Sequence, residues 1–390
     1  MLKVMRNLCA RFPFRDVEQP EPIYLISAAG HPNFGDEFIA RSWLDWLAEH
    51  HPQREVWLDC MEPGRAAHLF RDTHPRLRTT NTLWQMAHGN GPSEVHDAAQ
   101  WIEAMVTGLG SPKNDLGLRQ LRAMSSIHVL GGGYMNTIWS RNLAIVAAIT
   151  AVKRHYGVKV FATGQGLLPH EPSTRDWMRD QLAQFDYVES RDHEGASIFD
   201  IHLGTDDAFL AFANKRPIYA QRDSLPPAMV LIQGDLIAEG DEASLAAHVR
   251  DFVADVSEGT TVGFAEAIPP DDTRFAQPHL GERAEFFPFL RMWDEGFPAF
   301  EGQKWLTSRF HFHLLAAAAG AQGTVVNVRP GYYDVKHDLL LRAGTGWSRQ
   351  PDSTGKGDVL ARASASASFP QTARTLGAQK AELAKRLYSM

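Results

Sequence analysis

Along the chain, short apolar runs alternate with longer stretches in which apolar residues recur every three or four positions. IYLIS (23–27), EVWLD (55–59), SIHVLG (126–131), VKVFATG (158–164) and YVESRD (187–192) are short, rich in β-branched and aromatic residues, and end in glycine or charged positions. Such runs read as buried strands of a parallel sheet. Between them, DEFIARSWLDWLAEH (36–50), RNLAIVAAITAVKRHYG (141–157) and TRDWMRDQLAQF (174–185) carry the helical period. Strand and helix in alternation predict an α/β fold.

The rhythm breaks at FANKRPIYAQRDSLPPA (212–228), where three prolines and several charges mark a linker. It then restarts. MVLIQ (229–233), TTVGFAEA (260–267), KWLTS (304–308) and TVVNV (324–328) read as strands, and EASLAAHVRDFVADVSEG (242–259) as a helix. The expectation is two Rossmann-like domains, 21–211 and 229–356, facing a cleft and joined by the linker 212–228. Residues 1–20 form a basic arm. Residues 357–390 hold a flexible patch around SASAS (364–368) and then a terminal helix, expected to pack back across the cleft.

Composition narrows the function. The chain has 390 residues, 44% of them hydrophobic and 22% charged, so it is globular and long enough for two cores. Its net charge of -7 leaves no global basic field for nucleic acid. An anionic substrate must therefore find its cations locally. Two cysteines, Cys9 and Cys60, exclude a disulfide framework and fit a cytoplasmic chain. No run is long and apolar enough to span a membrane. The N-terminal arm MLKVMRNLCARFPFR reads as loosely ordered; the alternative is a peripheral contact with the anionic inner face of the cell membrane.

In open parallel sheets, ligands bind beyond the carboxyl ends of the strands. The loops there carry the candidate chemistry. AAGHPNFGDEF (28–38) follows the first strand; Gly30 and Gly35 offer backbone freedom and Asp36 is placed to cap the next helix. Asn33, Gly35 and Asp36 either form a well-capped turn or face the cleft. Gly131, Gly132 and Gly133 follow a buried strand, where their amides suit a phosphate or carboxylate. They match neither the dinucleotide nor the Walker pattern. Gly164, Gln165 and Gly166 shape a loop on the same edge. Arg191 and Asp192 end another strand, as a local ion pair or as a guanidinium offered to an anion.

In TSRFHFHLLAAAAG (307–320), Ser308 is expected to cap a helix, with Arg309, Phe310 and His311 in its first turn, where unpaired amides attract anions. On such a helix His311 and His313 lie about 200° apart. His311 then faces a ligand and His313 is structural. No second cluster of ligands supports a metal, and none is expected. Lys336, in YYDVKHDLL (332–340), reaches toward the same cleft.

In order along the chain, these loops resemble the polysaccharide pyruvyl transferase family. The matching elements are Asn33-Phe34-Gly35-Asp36-Glu37, the triplet Gly131–Gly133, Gly164-Gln165-Gly166, the pair Arg191-Asp192, Arg309-Phe310-His311 before an alanine-rich helix, and Tyr333-Asp334-Val335-Lys336. The resemblance runs from about residue 23 to about residue 340. The chain departs at Pro32, where glycine is usual, at Leu168, where glycine is common, and at Gln322, where proline is usual. The stretch before Lys336 is longer by Arg329, Pro330 and Gly331. These changes point to a divergent member, with an unusual acceptor or an altered activity.

The resemblance implies a GT-B-like fold and transfer of the enolpyruvyl group of phosphoenolpyruvate to a sugar, giving a pyruvate ketal and phosphate. It assigns Arg191, Arg309 and His311 to the donor, with Lys336 as a further contributor. No cofactor is called for. The acceptor would be a sugar of a cell-surface polysaccharide or glycolipid precursor, lipid-linked or free. A histidine is a natural acid for the methylene carbon, which assigns that proton to His311, while the arginines stabilise the donor's charge. The rivals are a sugar-nucleotide glycosyltransferase of the same fold, a non-catalytic binding subunit in polysaccharide assembly, and a hydrolase with a metal on His311 and His313. Trp139, His170 and Trp293 are aromatic or polar candidates for the cleft, but fit no recognisable acceptor pattern.

Overall fold

The computed structural model describes residues 21–89, 91–108, 113–235, 237, 240–328, 333–350 and 368–389. The basic arm, the residues added before Lys336 and residues 351–367, which hold the serine–alanine patch except Ser368, lie outside the described residues, as do the side chains of Tyr333, Asp334 and Val335.

The first sheet has seven strands: β1 (Ile23–Ile26), β2 (Val56–Asp59), β3 (Leu77–Thr80), β4 (Ser126–Val129), β5 (Lys159–Gln165), β6 (Tyr187–Ser190) and β7 (His202–Leu203). All pairs are parallel, in the order β3-β2-β1-β4-β5-β6-β7. The second sheet has six: β8 (Ala228–Leu231), β9 (Val262–Ala265), β10 (Ala284–Phe287), β11 (Lys304–Thr307), β12 (Gln322–Val325) and β13 (Ser348–Arg349). Its order, β10-β9-β8-β11-β12-β13, repeats the same winding. Each sheet reverses direction once, between β1 and β4 and between β8 and β11. Those are the crevices where doubly wound sheets bind ligands.

The central strands β1, β4, β8 and β9 are buried along their whole length; β1, β8 and β9 show in the sequence as unbroken apolar runs, while β4 buries Ser126 and His128 among its apolar residues. The strands absent from the sequence reading, β3, β7, β10 and β13, are outer ones. They are two to four residues long and largely half-exposed or exposed, so they leave no apolar run to read. β12 begins at Gln322, two residues before the expected TVVNV.

The two sheets share one apolar cluster. Phe34, at the start of the helix Phe34–His50, packs edge-on or tilted against Phe289, Trp293, Phe297 and Phe312 of the second half. Its amide donates to the carbonyl of Ala267 at 3.0 Å. Burying several aromatic rings at one junction contributes several kcal/mol. The helix Phe369–Ser389 returns to the first sheet. Lys380, buried, pairs with Glu189 of β6 and with Asp207, and the Tyr388 hydroxyl meets His128 of β4 at 2.8 Å.

Candidate functional site

A cleft of about 440 Å³ opens where the two switch points face each other. Its walls come from the loops after β1 (Asn33, Gly35, Asp36), β4 (Gly133, Tyr134), β6 (Arg191), β8 (Asp235), β9 (Ala267, Ile268) and β11 (Arg309, Phe310, His311), with Lys336 from the helix Tyr333–Arg342. Residues far apart in sequence thus converge because both sheets present their carboxyl ends to one space.

Arg191 leaves the end of β6 and is almost fully buried. Its guanidinium donates to Oδ2 of Asp206 at 2.7 Å and lies 4.8 Å from the centre of the Phe310 ring. Its partner is therefore Asp206, not the neighbouring Asp192, whose carboxylate caps the helix His193–Phe199 through the Gly195 amide at 2.7 Å. The other oxygen of Asp206 lies 3.4 Å from Nε2 of His311. One buried carboxylate from the first half therefore accepts from an arginine beside it and stands within ion-pair distance of a histidine of the second half. Burial pushes the Asp206 carboxyl up, but His311 and then Arg191 more than reverse this and hold it below the usual carboxylate range.

Arg309 is held differently. It donates to Asp235 at 2.5 Å and to the fully buried Asp272 at 2.7 Å. The helix begins at Phe310, so Arg309 is its N-cap residue, in extended conformation. Ser308, expected to cap, instead accepts from the Gln233 amide at 2.9 Å and ties β8 to β11. His311 is in the first turn. Its ring rests on the backbone of Gly35: a Cβ placed there would lie 2.0 Å from Nδ1. Gly35 is needed for this contact and not for special backbone angles; Gly30, at φ 84°, is the one with a left-handed conformation. His313 points elsewhere. It is buried against Trp347, with Nδ1 3.3 Å from His337 and Nε2 3.0 Å from Thr345.

Asn33, not Asp36, caps the first helix, accepting from the Gly35 amide at 3.2 Å. Its amide nitrogen donates to Asp36 at 2.8 Å. Burial raises Asp36 above the usual range against the opposing pull of His311, Lys336 and Arg191. Burial, then Arg191, holds Lys336 well below the usual lysine range. Lys336 and Arg191 also line a second, smaller hollow of about 240 Å³ on their far side.

The glycines divide. Gly133 lines the cleft. The Gly131 amide donates to Asp207 at 2.8 Å, so it does not face a ligand. The Gly132 carbonyl accepts from Gly166 at 2.8 Å, joining the two glycine loops. Gly164, at φ 57°, and Gly131 both pack against Asp207 with no room for a Cβ. Gly166 leaves space for the Arg191 guanidinium, 2.8 Å from where its Cβ would be. The Gln165 side chain is buried and donates to the carbonyls of Val129, Leu130 and Thr163. These loops build the floor under Arg191 and are not a row of free amides.

A family model for polysaccharide pyruvyl transferase matches residues 33–255. The chain belongs to the polysaccharide pyruvyl transferase family. It is accordingly a transferase. No curated protein sequence matches the chain closely enough to count as a relative. Among solved structures, the chain resembles a putative UDP-N-acetylglucosamine 2-epimerase from Listeria monocytogenes at 12% identity and TM-score 0.52, covering 93% of this chain and 97% of that one. It also resembles a spinosyn rhamnosyltransferase at 13% identity and TM-score 0.50, covering 95% and 100%. These likenesses establish the GT-B-like fold: two Rossmann-like sheets across a cleft.

The family match ends at residue 255, before Arg309, His311 and Lys336. What joins those three to Arg191 and Asp36 is geometry. Sequence reading missed the carboxylates that organise them. Asp206 and Asp207 are adjacent in TDDAF, yet the first serves the cleft and the second braces Gly131, Thr163, Trp43 and Lys380. Asp235 and Asp272 sit in loops with no pattern of their own.

Proposed function

We propose that the protein transfers the enolpyruvyl group of phosphoenolpyruvate to a sugar, forming a cyclic pyruvate ketal and releasing phosphate. The observation that carries this reading is the convergence of Arg191, Arg309, Lys336 and His311 on one cleft in a chain of negative net charge. A donor bearing both a carboxylate and a phosphate calls for that many cations. Guanidinium groups suit both anions, because their paired N–H donors match the two oxygens.

In this reading His311 gives a proton to the methylene carbon, which becomes a methyl group. The adjacent carbon turns cationic and is attacked by one sugar hydroxyl, whose proton passes to Asp36. The C–O bond to phosphate then breaks, phosphate leaving with the proton that Asp36 had taken, while the arginines and Lys336 take up its charge. A second hydroxyl of the same sugar closes the ketal, and its proton restores His311. Asp206 keeps the imidazole and Arg191 in register throughout. The acceptor belongs to a polysaccharide or its precursor.

Thermal stability tests the donor. A ligand bound only by the native state raises the melting temperature. Phosphoenolpyruvate at millimolar concentration is expected to do so, and UDP- and GDP-sugars are not. A rise with a sugar nucleotide and none with phosphoenolpyruvate would replace this reading by a glycosyltransferase of the same fold.

A further inference from the structure

Part of the cleft wall is not used by the donor chemistry. It is formed by His31, Met61, Trp84, His88, Trp139 and Asn142, all from the first half. Trp139 differs from its neighbours. As a residue it is 47% exposed, although it lines a concave site. A single exposed apolar side chain on an outer surface needs no explanation. An exposed indole inside a substrate-sized cleft, on a turn held in place from several sides, does.

That turn, Thr137–Asn142, is tightly determined. The Asn136 side chain accepts from the Ile138 amide at 3.1 Å and donates to the Gly133 carbonyl at 2.9 Å. The Trp139 amide donates to the Asn136 carbonyl at 3.1 Å. The Thr137 amide is tied to Pro169, and the Asn142 side chain donates to Tyr134 at 2.8 Å. Gly133 also lines the cleft, so the turn is registered against the donor end through one hydrogen bond. Beside it, Oδ1 of Asn142 and Nε2 of His88 are 2.7 Å apart, a polar pair in the same wall. A fixed aromatic face bordered by a few polar groups is how a site holds a ligand with one apolar and one hydroxylated aspect. Rigidity here lowers the entropy lost on binding.

We propose that Trp139 is the stacking platform for the acceptor sugar: a pyranoside whose C–H face lies on the indole while its rim hydroxyls meet His88, Asn142 and His31. This placement directs a pair of neighbouring hydroxyls toward the cations, as a ring-closing ketal requires. The inference rests on the proposed transfer only for the direction in which the hydroxyls point; sugar binding itself is independent of the donor.

The test uses the full chain and methyl glycosides of galactose, glucose and N-acetylmannosamine, followed by saturation-transfer NMR. At least one glycoside is expected to show transfer strongest at its ring C–H protons. Trp139→Ala should weaken that binding at least about tenfold, and Trp139→Phe should restore part of it. Stabilisation by phosphoenolpyruvate, measured in parallel, should be the same in all three proteins. Binding unchanged in Trp139→Ala, or no glycoside bound by the native protein, overturns the platform. So does UDP binding that depends on Trp139 while glycosides fail, because the indole would then serve a nucleobase. Trp139-dependent glycoside binding without any effect of phosphoenolpyruvate keeps the platform and rejects the donor.

Discussion

Gly35→Ala adds one methyl group and no charge, yet it is aimed at the chemistry. Gly35 lies in the first turn of the helix Phe34–His50 with ordinary helical backbone angles. On propensity alone, alanine there would stabilise the helix by up to about 1 kcal/mol. Against that stands a methyl carbon 2.0 Å from Nδ1 and 2.7 Å from Cγ of His311. No real pair of atoms is that close, so the imidazole must move by an ångström or more. Because the ring borders the cleft and is 14% exposed, it can swing aside, and overpacking should cost about 1–3 kcal/mol at most. Net stability therefore falls by at most about 3 kcal/mol. The displaced ring loses its place beside Asp206, and misplacement of a reacting group by about 1 Å can cost about 10²-fold in rate. Calorimetric melting gives the first quantity, and phosphate release from phosphoenolpyruvate with an accepted glycoside gives the second. A Gly35→Ala protein that melts near the native temperature and turns over at the native rate would show that His311 is not the proton donor from this position.

Asp206→Asn keeps the shape of the bridge between Arg191 and His311 but removes its charge, which should cost up to about 3–5 kcal/mol by urea unfolding. Because the Asp206 carboxyl is held below its usual range, its contribution is fully present above the unfolded value of about 3.9 and is lost only as pH falls toward the folded one. The stability gap to the native protein should therefore not shrink above about pH 5; a gap that closes nearer neutrality would contradict the pairing. Lys380→Met leaves Glu189 and Asp207 buried without their cation and should destabilise by about 3–5 kcal/mol, with the loss reported by urea unfolding; a neutral result would mean the pairing is not formed in solution. Lys336 is held below the usual lysine range, so an arriving dianion should raise it and draw a proton from solvent. Calorimetric titration with phosphoenolpyruvate in buffers of different ionisation enthalpy should show proton uptake, absent in Lys336→Met; buffer-independent heats would remove Lys336 from the donor site.

The parts of the fold that were legible in the sequence are those that leave a one-dimensional trace. β1, β8 and β9 are buried on both faces, so their apolar runs are continuous. β7 and β13 are two residues each and get their place from a neighbouring strand, which no local pattern records. The same division holds in the site. Arg191, Arg309 and His311 were found because each follows a strand, and strand ends are where parallel sheets gather ligands. The expected helix start at Ser308 was one residue early, because the Ser308 hydroxyl is engaged by the Gln233 amide in the loop after β8. A local rule for capping residues has no access to that competitor.

The missed aspartates show the limit more sharply. A buried guanidinium is costly without a partner, so Arg191 and Arg309, once placed in a cleft, require carboxylates. Sequence can state that requirement but not who meets it. The neighbour in sequence, Asp192, is already spent on a helix cap, and the charge falls to Asp206, fifteen positions on. Asp206 is chosen because β7 returns the chain to the edge of β6, and the same return carries it to His311 across the cleft. The carboxylate that makes burial of Arg191 tolerable is thus also the group that fixes the histidine of the other half. Closing the two halves and bringing Arg191 and His311 to one carboxylate are one event. Separation of the halves should therefore loosen Arg191 and His311 together, and Asp206→Asn should uncouple them without separating the halves.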